Sequence, residues 1–449
     1  MLRCTAGIVS PIFEWLATRH LAARSRGRGI IAQLAMALRR GSSSQLRVRA
    51  QLLLAALVAL AAAPTATSPP PPPPPLSGVV FLDRDGDGAR DAGEPGVAGA
   101  RVSDQKSTVL TDARGAWSIA EAGGYGVVYA SAPVGYRVAG SFWRTASPGD
   151  SAIDFPLVAA PSPRSFRFIH ASDPHASAAS VARLRAARAI VEQQHPDFVL
   201  MTGDLVKDAL RVGEAEARGY YDLYVGEAAR FPVPVWNVPG NHENFGIERH
   251  LSLVPPTHPL YGKKMYRQRL GPNYYSFDYG GIHFVGLDSV DVDDLWYYGH
   301  VDAAQIAWLK GDLATVPAAM PVVTFNHIPF VTAVWALGGY DDEPPAPTLI
   351  KIGGKEQFRH SVSNLDEVLA AIAPHPWPLA LGGHMHTRET LRYEAGAVVT
   401  RFEQAAAIVG PNEAGPLVMT SGLTLYRVED GRIDAGTFLP LDTPDPPAP

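Results

Sequence analysis

Residues 379 to 389 read LALGGHMHTRE, an apolar run ending in two histidines separated by one methionine. In an extended backbone, side chains two apart point to one face, so His384 and His386 converge on a common volume. Related residues recur upstream, each just past an apolar run: Asp173 and His175 in ASDPH, Asp204 in MTGD, Asn241 and His242 in PGNHE, and His327 in TFNH. Singly, such residues have ordinary uses, because an Asp after a strand caps a helix and a His packs in a core. Together they are hard and borderline donors of the kind that hold two divalent ions without sulfur. Sulfur is not on offer, since the only cysteine, Cys4, lies in a segment expected to be cleaved away.

The elements that must position these residues alternate. FRFIHASD, SVARLRAARAIVEQQ, DFVLMTGD, GEAEARGYYDLYVGEAAR and PVWNVPGNHE read as strand, helix, strand, helix, strand. YYSFDYGGIHFVGLDS, DAAQIAWLKGDLATV, PVVTFNHIPF, NLDEVLAAIA and PLALGGHMH continue an α/β pattern, which places ligands at the carboxyl ends of strands. We expect this domain over 166–410, with β-rich C-terminal strands and a tail over 411–449, either closing the same domain or forming a small appendage. Before it, 78–160 holds short β-type runs between Gly-rich turns, read as a small β-sandwich, and APSPRS at 160–165 is a linker by composition.

The ordered set D-x-H, G-D, G-N-H-E, H, G-H-x-H, complete from 173 to 386, resembles the calcineurin-like metallophosphoesterases. The resemblance covers about half of the chain and implies a four-layer α/β/β/α sandwich, where periodicity alone gives only α/β. It implies that Asp173, His175 and His386 hold one metal, that Asn241, His327 and His384 hold the other, and that Asp204 bridges both. The ions would be Mn, Fe or Zn, sharing a hydroxide that attacks phosphorus in line. His242 would protonate the leaving group, and Glu243 would orient His242 or a ligand histidine.

Departures from the family pattern narrow the choice. GDLVK carries Lys207 where purple acid phosphatases have a metal-binding tyrosine, and GDLVKDA lacks the arginine of Ser/Thr protein phosphatases. The expected substrate is therefore a small phosphate ester. Two alternatives stay open: a phosphodiesterase or nucleotide hydrolase on the same site, and a non-catalytic surface-binding protein that uses the metals as scaffold. Segments 244–273 and 329–364, rich in Gly, Pro and aromatics, are expected to rim the site. Trp335, Tyr340, Arg359 and His360 could contact substrate there or simply pack the loops.

A second metal signal is of another kind. DRDGDGARDAGE places Asp83, Asp85, Asp87, Asp91 and Glu94 at positions 1, 3, 5, 9 and 12 of a calcium-loop pattern, with Gly88 at position 6. GVVFL before it reads as a strand, so a paired-helix hand is not expected. The loop resembles instead the Ca-binding β-sandwich repeats of bacterial surface proteins, with a structural Ca2+ that takes no part in hydrolysis. The competing reading is a solvated acidic turn.

Residues 1–67 read as leader and signal peptide. RVRAQLLLAALVALAAA has a basic lead and an apolar stretch too short to span a bilayer comfortably, with cleavage expected between Ala61 and Ser68. Translation begins at Met1 or Met36. A polyproline linker, 68–77, follows. Losing 1–67 removes nine arginines and one glutamate and takes the formal charge from −5 to −13. A mature chain that acidic argues against binding a nucleic-acid backbone. The expectation is a secreted or periplasmic protein with no transmembrane segment in its mature form.

Overall fold

The structure is a computed structural model that describes residues 75–120, 124–334, 347–395, 398–414 and 417–441. The expected leader, most of the polyproline linker, Trp335 and Tyr340 lie outside the described residues.

Residues 76–159 form two four-stranded sheets. One contains β1 (Leu76–Leu82), β4 (Ala116–Ile119), β6 (Tyr136–Val138) and β8 (Phe155–Ala159), in the order β4-β1-β8-β6. The other contains β2 (Arg101–Ser103), β3 (Thr108–Leu110), β5 (Val127–Ser131) and β7 (Trp143–Thr145), in the order β3-β2-β5-β7. Val80, Trp117, Phe155 and Leu157 of the first meet Val102, Val128 and Ala130 of the second in one buried cluster. Alternation turns Tyr129 the other way, into the core of the following domain.

That domain is mixed α/β. β9 (Ser165–Ala171), β10 (Phe198–Thr202) and β11 (Val235–Val238) are parallel, and β24 (Gly422–Glu429) runs antiparallel beside β9. The helices α1 (Val181–Gln194) and α2 (Glu214–Ala228) cover one face of this sheet. β10 reads FVLMT with every residue buried, because both faces are covered: Phe198 and Leu200 enter one core cluster, Val199 and Met201 the other.

The second sheet runs β12-β13-β16-β19-β21-β20. Its strands are β12 (Tyr275–Tyr279), β13 (Ile282–Gly286), β16 (Val322–Phe325), β19 (Leu379–Gly382), β20 (Glu389–Ala395) and β21 (Val398–Gln404). Its Phe277, Phe284 and Phe325 pack with Phe168, Phe198 and Tyr426 of the first sheet in a core that also takes in Trp308 and Ile372. Those two belong to α5 (Ala303–Leu313) and α6 (Leu365–Ile372); the short α3 (Arg249–Ser252) and α4 (Lys264–Leu270) lie in the segment after β11. Hairpins β14 (Val290–Asp293)–β15 (Trp296–Gly299) and β17 (Leu349–Ile352)–β18 (Lys355–Phe358) are inserted in the loops, and β22 (Asn412–Ala414) pairs β23 (Leu417–Met419).

Residues beyond 410 are integral to this domain. β24 pairs with β9 from Thr424↔His170 to Glu429↔Ser165, and β25 (Arg432–Ile433) and β26 (Thr437–Pro440) pair with β24.

The N-terminal sheet pair is docked on this domain despite the linker-like sequence between them. Arg101 pairs with Asp278 at 2.6 Å, and Trp308 Nε1 donates to Ser103 Oγ at 3.1 Å. No described helix is long and apolar enough to cross a membrane.

Candidate dinuclear metal site

Every residue of the chemical set sits just past a strand end: Asp173 and His175 after β9, Asp204 after β10, Asn241 and His242 after β11, His327 after β16, and His384 and His386 after β19. β9, β10 and β11 are parallel, as are β13, β16 and β19, so their carboxyl ends share one rim. Asp173, His175, Asp204, His384 and His386 all have positive φ, between 41° and 71°. Non-glycine residues in that region cost about 1 kcal/mol or more each and persist only where the surroundings over-determine them.

Two donor groups result. In the first, His386 Nε2 is 3.2 Å from Asp173 Oδ1 and 3.2 Å from His175 Nε2, which is 3.6 Å from Asp204 Oδ2. In the second, His327 Nε2 is 3.2 Å from each of Asp204 Oδ1, Asn241 Oδ1 and His384 Nδ1. Ligands about 2.1 Å from one ion are spaced about 3 to 3.5 Å from each other, so both groups fit a divalent cation. The two oxygens of Asp204 face different groups. Among the described residues the buried Asp173 Oδ1 has the His386 imidazole at 3.2 Å but accepts no well-aligned hydrogen bond, a deficit that a cation at the first group would satisfy.

The electrostatics agree with that fit. Burial and the neighbouring His242 push His175 down to about 4; burial, His327 and His360 hold His384 well below the usual imidazole range. Both therefore present lone pairs at neutral pH. Burial alone would depress His327, yet the Asp204 carboxylate lifts it to about 9, so a proton stands where a cation would. Asp204, although buried, is held well below the carboxylate range by His327 and His242.

Two motif glycines have a steric reason. Gly203 has φ +83°, and a Cβ there would lie 2.6 Å from the His327 ring; a Cβ on Gly240 would overlap the Asp204 carboxylate.

Residues 166–388 match the family of calcineurin-like phosphoesterases. That segment is a calcineurin-like phosphoesterase domain. Over 200 residues, 44% of this chain, the sequence is 25% identical to a probable cyclic nucleotide phosphodiesterase of Fibrobacter succinogenes and spans 60% of its length. A dimetal phosphatase from Danio rerio is similar at 14% identity, with a TM-score of 0.40, over 62% of this chain and 99% of that one. The TT1561 protein of Thermus thermophilus is similar at 11% identity, with a TM-score of 0.34, over 62% and 99%.

Within the phosphoesterase domain His242 points its Nδ1 at the Lys207 carbonyl oxygen, 2.6 Å away, and its Nε2 lies 3.7 Å from Asp204 Oδ2. Asp208, which sequence reasoning passed over, lies 3.8 Å from His242 Nδ1 and is tied to Arg211. Its position four residues after Asp204 was the only available signal.

Glu243 differs from the expectation: it orients neither His242 nor a ligand histidine. Its carboxyl accepts the backbone N–H groups of Gly240 and Val206, bracing the two loops that carry Asn241 and Asp204, and burial with the Asp204 charge lifts it to about 8. His360, left open in the sequence, stacks on His384 with its Nδ1 2.7 Å from His384 Nε2. Arg359 is buried and lies over the Tyr297 and Trp296 rings, so it packs the loop.

At the acidic loop Asp83, Asp85 and Glu94 gather one set of oxygens, and Asp85, Asp87 and Asp91 another. Asp83 accepts the N–H groups of Gly86 and Gly88, and Glu94 those of Arg84 and Asp91, so the loop also closes on its own backbone. β1 precedes it.

Proposed function

We propose that the chain is an exported, dinuclear-metal phosphoesterase acting on small phosphate esters. The observation that carries this reading is Asp204, whose two carboxylate oxygens face two separate donor groups. Asp173, His175 and His386 would hold one divalent ion and Asn241, His327 and His384 the other. Bound there, two such ions generate a nucleophile from water near neutral pH and offset charge on the phosphoryl oxygens.

The remaining steps belong to side chains of the domain. The Lys207 carbonyl accepts from His242 Nδ1–H, which leaves Nε2 as the atom that carries the proton to the departing alkoxide. Asp204 accepts the His242 backbone N–H at 3.0 Å and keeps the acid registered against the bridge. Glu243, through Gly240 and Val206, fixes the distance between the Asn241 and Asp204 loops.

A second reading, hydrolysis of phosphodiesters or nucleotides at the same residues, is favoured by the name of the Fibrobacter relative. A scaffold without activity would have no need of His242. Export rests on the leader sequence alone. We also read the N-terminal sheet pair as a β-sandwich domain holding a structural Ca2+ at Asp83, Asp85, Asp87, Asp91 and Glu94. Calcium would then raise the melting temperature of wild type but not of Asp83→Asn; equal shifts in both would make the loop a solvated turn.

The test of the main reading is hydrolysis of p-nitrophenyl phosphate and bis(p-nitrophenyl) phosphate with Mn2+, before and after chelation. Activity on one or both, lost with the metal and restored with it, is the expected result. A protein that binds two ions per chain and hydrolyses nothing across a broad ester panel would refute it.

A further inference from the structure

At the opposite end of the strands from the metal ligands, a cleft of about 590 Å3 opens between the N-terminal sheet pair and the edges of both phosphoesterase sheets. Its floor is Phe198 and Val235, at the amino ends of β10 and β11, and Met320 just before β16, whereas the metal ligands follow the carboxyl ends of the same strands. The four steps from Phe198 to Thr202 alone separate the two ends by roughly 13 Å, at ~3.3 Å per residue. Clefts of about 300–1,000 Å3 accommodate small organic ligands, with apolar walls and a few polar groups fixing orientation.

The walls have that character. Trp236 and Phe277 stack with ring centroids 4.0 Å apart, and Phe142 leans on Trp236 at 4.9 Å. The acids that line the cleft already have partners: Asp278 holds Arg101 and His283, and Asp197 holds the Tyr279 hydroxyl and the Arg167 N–H. Arg137 lines it too, from β6, and its guanidinium makes no ion pair or hydrogen bond among the described residues.

Ser131 supplies an independent sign. It ends β5 on the strand face shared with Tyr129, turned toward the phosphoesterase core, and lines the cleft at 3% exposure. Its Oγ has no hydrogen-bond partner among the described residues. A buried hydroxyl left without a partner carries an uncompensated desolvation cost, so an orphan in a cleft wall points to a group the ligand brings.

We propose that this cleft is a second binding site, separate from the metal centre, for a small organic anion with a flat apolar body. The body lies against the Trp236–Phe142 wall, the Ser131 hydroxyl donates to an oxygen of the ligand, and Arg137 pairs with its carboxylate at the mouth. Neutral apolar compounds would use only the first of these contacts. Cations are disfavoured, because both lining carboxylates are already engaged.

The probe is 1-naphthylacetate, with 1-naphthylethanol as its uncharged counterpart, titrated by calorimetry into the full chain with metals and saturating inorganic phosphate present. Saturable binding of one equivalent is expected. Arg137→Glu, an exposed substitution, should weaken naphthylacetate roughly tenfold and change naphthylethanol by less than about threefold. Trp236→Ala, which removes the aromatic wall, should weaken both by about tenfold or more. Absence of saturable binding overturns the site, as does competition by phosphate, which would place the ligand at the metals. Affinities that Arg137→Glu leaves unchanged overturn the anionic class. Should Trp236→Ala fail to fold, the Arg137→Glu comparison decides alone.

Discussion

Replacing His242 by alanine separates the two things this histidine could do. Its Nε2 is 3.7 Å from Asp204 Oδ2, nearly the 3.6 Å that His175 keeps from the same oxygen, and these three residues could themselves hold an ion. Acid or ligand is therefore a real choice. The structure makes the substitution a clean probe, because the His242 backbone N–H to Asp204 Oδ1, at 3.0 Å, survives it and keeps the bridging carboxylate aimed.

If His242 is the acid, two ions per chain should remain. A positioned acid contributes about 10²–10⁴ in rate, or roughly 2.7–5.4 kcal/mol at ~1.36 kcal/mol per decade. The full loss should fall on alkyl esters, whose leaving alkoxide needs the proton. A p-nitrophenyl ester, with a stable leaving anion, should lose less than about tenfold. The assay is kcat on the two ester types beside elemental analysis of the variant. An equal loss on both would refute the acid role, and a fall from two ions to one would make His242 a ligand.

Other perturbations bear on the frame of the site. His384→Ala should empty mainly the ion position shared with Asn241 and His327, and His386→Ala the one shared with Asp173 and His175; equal loss at both positions in both variants, by metal analysis, would sink the split. Gly240→Ala pushes a methyl into the Asp204 carboxylate and should lower affinity for both ions by about 10- to 100-fold in competition with a metal indicator. His283, buried between Asp278 and Asp312 at 2.6 and 2.9 Å, is raised above the ordinary imidazole value because these contacts outweigh its burial. Its contribution to stability should be fully present below about pH 6.5 and be lost as pH rises through its folded value. Denaturant unfolding across pH, with His283→Gln lacking that alkaline loss, is the check. Asp278 is lowered by His283 and Arg101 against its burial, so its own share fades only as pH falls through that depressed value.

Much of the site is legible in the sequence. A strand that ends in a parallel sheet delivers the next residue to the sheet's carboxyl rim, so the polar residues after DFVLM, VWNV, VVTF and LALG had one place to go. The residue types, hard oxygens and imidazoles without sulfur, named the chemistry. Spacing could not say which atoms face each other. His360 lies 24 residues before His384 and reaches it only because the β17–β18 loop folds back, and Glu243 turned out to accept two backbone N–H groups, where sequence proximity had suggested His242.

The sequence by itself determined the donors, their order and the α/β frame, because strand period and chain direction are local properties. Tertiary structure alone decided that residues beyond 410 complete the first sheet, since β24 finds β9 across more than 250 residues of chain. It alone docked the N-terminal sheet pair, through Arg101, Ser103 and Tyr129, whose partners no local pattern encodes. It also divided GHMH between two donor groups. In the folded chain His384 and His386 both have positive φ, and this turns Nδ1 of one toward His327 and Nε2 of the other toward Asp173. An extended H-x-H would have aimed both at one point; the left-handed backbone, held by the packing around it, lets each histidine serve its own side of Asp204.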